Sequence, residues 1–287
     1  IIESMKTHLL KTIICLVAFG LLTTGCQHTT QKEADNAVKF DSILVDKTYH
    51  LLDNPENPNC NLQIKFTYPV SVENDLLADI QKQFVLAYFG EAYENLSPKD
   101  AVEKYQNDYL AAYKELEPDY EEELKRAEDG TPVGAWFSYY ELSSNQIQFN
   151  QNDLISFTVN FENYTGGAHG AHAYNHFVID LKNGKKLKEE DIFIDSYQEQ
   201  LAAILVAQIA KQNNVTDPKE LENMGFFSVD EIYPNNNFLI DETGITYTFN
   251  EYEIAAYVVG PIHVHIPFED VQLLLKQESP IASLAGL

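Results

Sequence analysis

"LISFTVNFENYTGGAHGAHAYNHFVIDL", residues 154–181, carries the pattern from which the fold is read. Ile155, Phe157, Val159 and Phe161 alternate with Ser156, Thr158 and Asn160. A period of two with one apolar side predicts a strand with one buried face and one solvated face. "ENYTGG" closes that strand with turn residues, and "AHAYNHFVIDL" resumes as a second strand rich in β-branched and aromatic residues. The two strands predict a hairpin with the Gly166–Gly167 pair at its bend.

Three histidines follow that pair. On a strand His172 and His176 share a face but stand about 13 Å apart, four steps of about 3.3 Å. Zinc–nitrogen bonds of about 2 Å cannot join them, so H-x-x-x-H is not read as a metal motif here. His169 sits inside the tight turn itself, with Tyr164, Gly166 and Gly167 around it. Two readings stay open for this group. The ring hydrogen-bonds to backbone and pins the turn, or it contacts a ligand. A second pair, His263 and His265 in "GPIHVHIPF", falls on one strand face opposite Ile262, Val264 and Ile266, about 6.6 Å apart. Such a pair chelates a metal only if a third ligand arrives. No metal or other cofactor is assigned.

Outward from the hairpin, residues 39–50 and 61–70 also read as strands, with Leu62, Ile64, Phe66 and Tyr68 alternating. Leu76, Leu77, Ile80, Phe84 and Tyr88 recur at helical spacing, and "SPKD" opens another helix with Ser97 as its cap. That helix carries Tyr105, Tyr109 and Tyr113, a row suited either to packing on a sheet or to stacking on sugar rings. Pro118 is expected to kink or end it before the acidic cluster Glu121 to Glu123. Blocks of strand and helix signals of this kind indicate an α+β protein: antiparallel sheet packed with helices, in two intimately associated subdomains.

The N-terminus indicates location. Lys6 and Lys11 flank the start of an apolar run, Thr12 to Leu22, which ends at Gly25-Cys26. The run is too short to span a bilayer comfortably and has the layout of a secretory signal. Gly-Cys at the cut resembles the lipobox of bacterial lipoproteins, although Thr23 stands where that motif usually has Leu. The expectation is lipid on Cys26 and an extracytoplasmic, membrane-anchored protein, with Ile1 to Ser4 ahead of the start at Met5. Ordinary cleavage beside a chance cysteine is the alternative. Residues 27–38 read as a polar tether.

Composition excludes further classes. With 44 acidic against 19 basic residues the chain has a net charge of −25, and Arg126 is its only arginine. Such a chain does not track phosphates, which excludes nucleic acid. The acidic balance favours solubility, cationic partners or divalent ions instead. Cys15 lies in the signal and Cys26 takes the lipid, so Cys60 stands alone and has no intrachain disulfide partner.

"YTGGAHG" (164–170), "NGKKLKEEDIF" (183–193), the amphipathic run "YQEQLAAILVAQIAKQ", the "GITYTF" strand and "YEIAAYVVG" (Tyr252 to Gly260) occur in that order. This order resembles the paired domains of unknown function in the extracytoplasmic part of the anti-sigma factor RsiV and in the peptidoglycan deacetylase PdaC. The resemblance implies an α+β fold with an N-terminal domain over 39–180, a C-terminal one over 181–277 and a tail over 278–287. It also supplies lysozyme as one ligand of such a domain; deacetylation belongs to a separate domain, not matched here. The function expected is a non-catalytic binding or sensing module at the cell envelope, for a cationic lysozyme-like protein or for peptidoglycan. The alternatives are a hydrolase centred on His169 with Glu162 or Asp180 as partner, or a structural interaction lipoprotein. No nucleophile elbow, phosphate loop or zinc signature supports the hydrolase.

Overall fold

The computed structural model describes residues 36–127 and 133–287. The signal segment, Cys26 and tether residues 27–35 lie outside the described residues. β1 (Lys39–His50) and β2 (Asn59–Ser71) form an antiparallel pair. α1 (Leu77–Phe89) follows, with Ile80 and Phe84 fully buried on its apolar stripe. Ser97 caps α2 (Pro98–Lys114), its Oγ accepting from the Asp100 N–H at 3.2 Å. Tyr105 of α2 donates to Glu141 at 2.7 Å and Tyr113 to the Phe137 carbonyl at 2.8 Å, so the tyrosine row packs. The helical path breaks after Lys114, just ahead of Pro118, and the acidic cluster is itself helical. It lies within α3 (Glu117–Arg126), which Pro118 opens, and Lys125 and Arg126 one turn on pair with Glu121 and Glu122.

β3 (Tyr139–Gln151) and β4 (Leu154–Tyr164) turn through Asn152 and Asp153, both at positive φ (55° and 60°), the geometry a two-residue hairpin needs to match strand twist. β5 (Ala171–Asp180) and the short β6 (Lys185–Lys186) complete a six-stranded sheet in chain order. The expected antiparallel arrangement holds for every neighbouring pair but one. β2 and β3 are parallel, because α1, α2 and α3 carry the chain back to the end where β2 began. On the helix side, Leu62, Ile64 and Phe66 meet Ile155, Phe157 and Val159 in one core, with Phe84 stacked on Phe157 at 4.2 Å.

Next come α4 (Glu189–Ile192), α5 (Gln198–Gln212), a second antiparallel sheet of β7 (Phe238–Ile240), β8 (Gly244–Phe249) and β9 (Ile262–Pro267), and α6 (Phe268–Val271). Ile245, Tyr247, Phe249, Val264 and Ile266 share a core with Leu201, Leu205 and Ile209 of α5. Thr246, Thr248, His263 and His265 occupy the other face of this sheet.

The solvated side expected for β4 is not solvated. Ser156 and Thr158 are 0% and 4% exposed, because β7 lies across β4 and β5. Ser156 Oγ donates to the Ile240 carbonyl at 2.6 Å. A hydroxyl tolerates a second protein layer as well as water, provided the layer supplies hydrogen-bond partners. Packing also crosses the 180/181 boundary in both directions. Phe149, Leu154 and Val178 join the α5 core, while Lys185 and Lys186 extend the first sheet. All described residues fall in one compact unit.

Both expected ends are shorter than the sequence implies. Ile281 is fully buried and Ala285 nearly so, so 278–287 packs rather than trailing; its few apolar positions are too sparse to show a period. Asn36, inside the expected tether, donates to the Leu154 carbonyl at 2.8 Å and accepts from the Asp153 N–H at 2.9 Å. Among the described residues no helix is long and apolar enough to cross a membrane.

Candidate functional site

Tyr164, Gly166, Gly167 and His169 come together at the bend between β4 and β5. Gly166 has φ 84°, and a Cβ there would stand 2.9 Å from the Trp136 carbonyl oxygen. Glycine alone combines that backbone with that approach. Tyr164 OH donates to the Gly167 carbonyl at 2.9 Å, and His169 Nδ1–H to the Gly170 carbonyl at 2.8 Å. The second bond sets the neutral tautomer and leaves Nε2 as the acceptor.

The loop after β8 closes on this bend. Tyr257 stacks on His169 with ring centroids 4.0 Å apart, and its hydroxyl donates to the same Gly170 carbonyl at 3.1 Å. Tyr252 lies 5.6 Å from Tyr257 with φ 66°, 57% exposed. Non-glycine residues held in the left-handed region concentrate at functional sites.

Glu162 and Asp180 do not join His169. Asp180 sits eight strand residues beyond His172, about 26 Å away, where it accepts from the Lys182 N–H and Asn183 Nδ2. Glu162 faces His172 instead. His172 Nδ1–H donates to Glu251 at 3.1 Å, Nε2 lies 3.8 Å from Glu162, and Tyr140 OH donates to Glu162 at 3.1 Å. The His172 imidazole thus lies between two carboxylates and offers them hydrogen bonds. Among the described residues its ring contacts no Ser, Thr or Cys nucleophile.

His176 shares the β5 face with His172 but has another task. It is 5% exposed, with Nδ1 2.9 Å from Thr158 Oγ1 and Nε2 2.6 Å from Thr248 Oγ1. Burial pushes its imidazole down to about 4, and the nearby His263 acts in the same sense. Thr248 Oγ1 also meets His263 Nδ1 at 2.7 Å, and His265 Nδ1 meets Thr246 Oγ1 at 3.0 Å. The H-x-H pair therefore turns these nitrogens to threonines of β8. Among the described residues no three His, Cys, Asp or Glu side chains converge as a metal site requires. Cys60 is fully buried, which pushes its thiol up to about 12 and keeps it inert.

The free edge of β5 is covered by side chains. The N–H groups of His172, Tyr174 and His176 donate to Glu251, Asn250 and Asn237 at 3.3, 2.8 and 2.7 Å. These three stand in for a neighbouring strand and protect the edge. They lie 61 to 79 residues from their partners, and no periodicity marks them in the sequence.

Away from β7, the outer face of the large sheet stays open. Register places Asp46, Gln63, Leu142, Glu162 and His172 in one row across five strands. Leu44, Lys65, Ser144, Asn160 and Tyr174 form the next row. Both rows line a cleft of about 470 Å³. Four interstrand gaps make it about 19 Å long. Beside the first row, two residues along β3 and β4, stands the Tyr140–Tyr164 pair, stacked at 6.2 Å, and the exposed Trp136 lies beside Gly166. Sequence reasoning found Tyr164 and Glu162 but not this cleft, because only the register reveals which residues share a row.

A family model described as a protein of unknown function (DUF3298) matches residues 190–269, and one described as Deacetylase PdaC matches residues 56–172. The two lie on either side of β6, in the order the resemblance predicts. No curated protein matches the chain. The crystal structure of a DUF3298 family protein from Pseudomonas aeruginosa is 15% identical, with a TM-score of 0.56 over 85% of this chain and 96% of that one, a likeness of fold alone. The crystal structure of a DUF3298 member from Bacteroides fragilis superposes with a TM-score of 0.82 at 36% identity, covering 88% of this chain and 99% of that one. Likeness in sequence and fold over nearly the whole described chain means that this protein belongs to the DUF3298 family.

Proposed function

We propose that the protein is a non-catalytic binding module of the cell envelope, tethered through lipid on Cys26, and that its ligand docks on the open outer face of the large sheet. The observation that carries this reading is the cleft. It is wide and solvent-facing, and it is lined by polar side chains that the fold leaves unspent. The catalytic alternative relied on His169 with Glu162 or Asp180; His169 Nδ1 is instead bonded to the Gly170 carbonyl, Glu162 faces His172, and Asp180 accepts from the Lys182 N–H. The anchor rests on the signal layout ending at Gly25-Cys26. A net charge of −25 favours a neutral or cationic ligand.

The test compares the full wild-type chain with Ser144→Trp, which places an indole in the middle of the cleft. Both are measured against isolated cell-wall sacculi by co-sedimentation and against lysozyme by surface plasmon resonance. Binding by the wild type and its loss in Ser144→Trp, at equal thermal stability, is the expected result. A lysozyme complex that survives high salt would make the ligand a cationic protein; one that vanishes is ion exchange. If wild type binds neither, or Ser144→Trp binds as well, the docking reading fails.

A further inference from the structure

The open face has a chemistry that narrows the ligand, and we propose that it binds a glycan strand of pyranose rings, neutral or amino-bearing rather than anionic. This rests on the binding-module reading and goes one step further, to the class of ligand.

Three observations converge. First, Gln63, Lys65, Ser144 and Asn160 face the cleft, and among the described residues their side chains make no hydrogen bond or ion pair. Amides and hydroxyls both donate and accept, as sugar hydroxyls do, so the two sets pair without fixed polarity. Second, aromatic rings gather at one end. Tyr252, Tyr257 and His169 lie within 30° of parallel, and Tyr252 stands out into solvent. A ring face of this kind covers the apolar C–H face of a pyranose; the Tyr257 hydroxyl is taken by the Gly170 carbonyl, which leaves that of the exposed Tyr252 to meet the sugar's rim. Third, the cleft lining holds the carboxylates of Asp46 and Glu162 and a single lysine, Lys65, while Glu251 adds a further carboxylate beside the lining residue His172. That balance repels polyphosphate and polyuronate and tolerates an ammonium group.

Shape agrees. The rows run perpendicular to the strands for about 19 Å, room for a few sugar rings end to end. The cleft is open rather than enclosed, so a long polymer can cross it without threading. A folded protein would instead need a broad apolar patch at the centre of its contact. The apolar residues in the two rows are Leu44 and Leu142, one from each row.

Isothermal titration of the full chain with oligomers of N-acetylglucosamine, with the same oligomers after de-N-acetylation, and with polyphosphate tests this. Binding of at least one oligosaccharide, weakened about tenfold or more in Asn160→Ala and in Tyr252→Ala, is expected; polyphosphate should give no heat. Both substitutions are at positions exposed to the cleft or solvent, and an unchanged urea midpoint shows that the fold is intact. Gln63→Ala, on an exposed strand face, repeats the test if either variant misfolds. No binding of either oligosaccharide at millimolar concentration overturns the proposal, as does equal binding by all variants or a preference for polyphosphate. If the oligosaccharides fail while sacculi or lysozyme still bind in a Ser144→Trp-sensitive manner, the glycan is wrong and the binding module stands. If Ser144→Trp is without effect on every ligand, both fall.

Discussion

Acid should loosen the seam between the two sheets through His176. Its imidazole is buried between Thr158 and Thr248, and burial holds it down to about 4. In the unfolded chain it titrates near the ordinary 6.5, so below that pH the unfolded state binds more protons than the folded one. The contribution to stability is fully present above about 6.5 and is lost as pH falls through about 4. The gap between those two values is worth about 3 kcal/mol in total, and about 2 kcal/mol of it is lost between pH 7 and 4.5.

The carboxylates of so acidic a chain titrate over the same range, so the measurement must be differential. Urea unfolding at both pH values is compared for wild type and His176→Gln, which keeps an amide between the threonines but cannot titrate. Wild type should lose about 2 kcal/mol more than the variant across the window. His263 reaches the same Thr248 hydroxyl, and Lys186 and Glu253 line the neighbouring surface, so His263→Gln is made in both backgrounds. Wild type and His176→Gln losing stability in parallel, within about 0.5 kcal/mol, would refute the reasoning.

Three further outcomes follow. Ser156→Ala removes the partner of the buried Ile240 carbonyl and should cost about 1–3 kcal/mol in urea unfolding; a neutral result would mean that the seam does not depend on this bond. Gly166→Ala meets both the positive φ and the Trp136 carbonyl, and should lower stability by about 1–2 kcal/mol, whereas a wild-type melting curve would show that the bend relaxes freely. Labelled palmitate should enter the wild type and not Cys26→Ala; equal labelling of the two removes the anchor and the envelope location with it.

Features that depend on neighbours along the chain were legible in the residues themselves. Alternation set β2, β4, β5 and β9, helical spacing set α1 and α5, Ser97 marked the start of α2, and Gly166–Gly167 marked the bend. Backbone preference and side-chain period act over a few residues, so a short stretch contains the whole cause. Partnership across the fold is different in kind. Ser156 and Thr158 carry the same alternation whether water or β7 lies above them. Glu251 and Asn237 act as strand substitutes only because a loop 61 to 79 residues away lands on the free edge of β5. The cleft exists because five strands align Asp46, Gln63, Leu142, Glu162 and His172 in one row, and a slip of one residue would turn each to the opposite face. Register is decided by the summed packing of both faces, which no single segment contains.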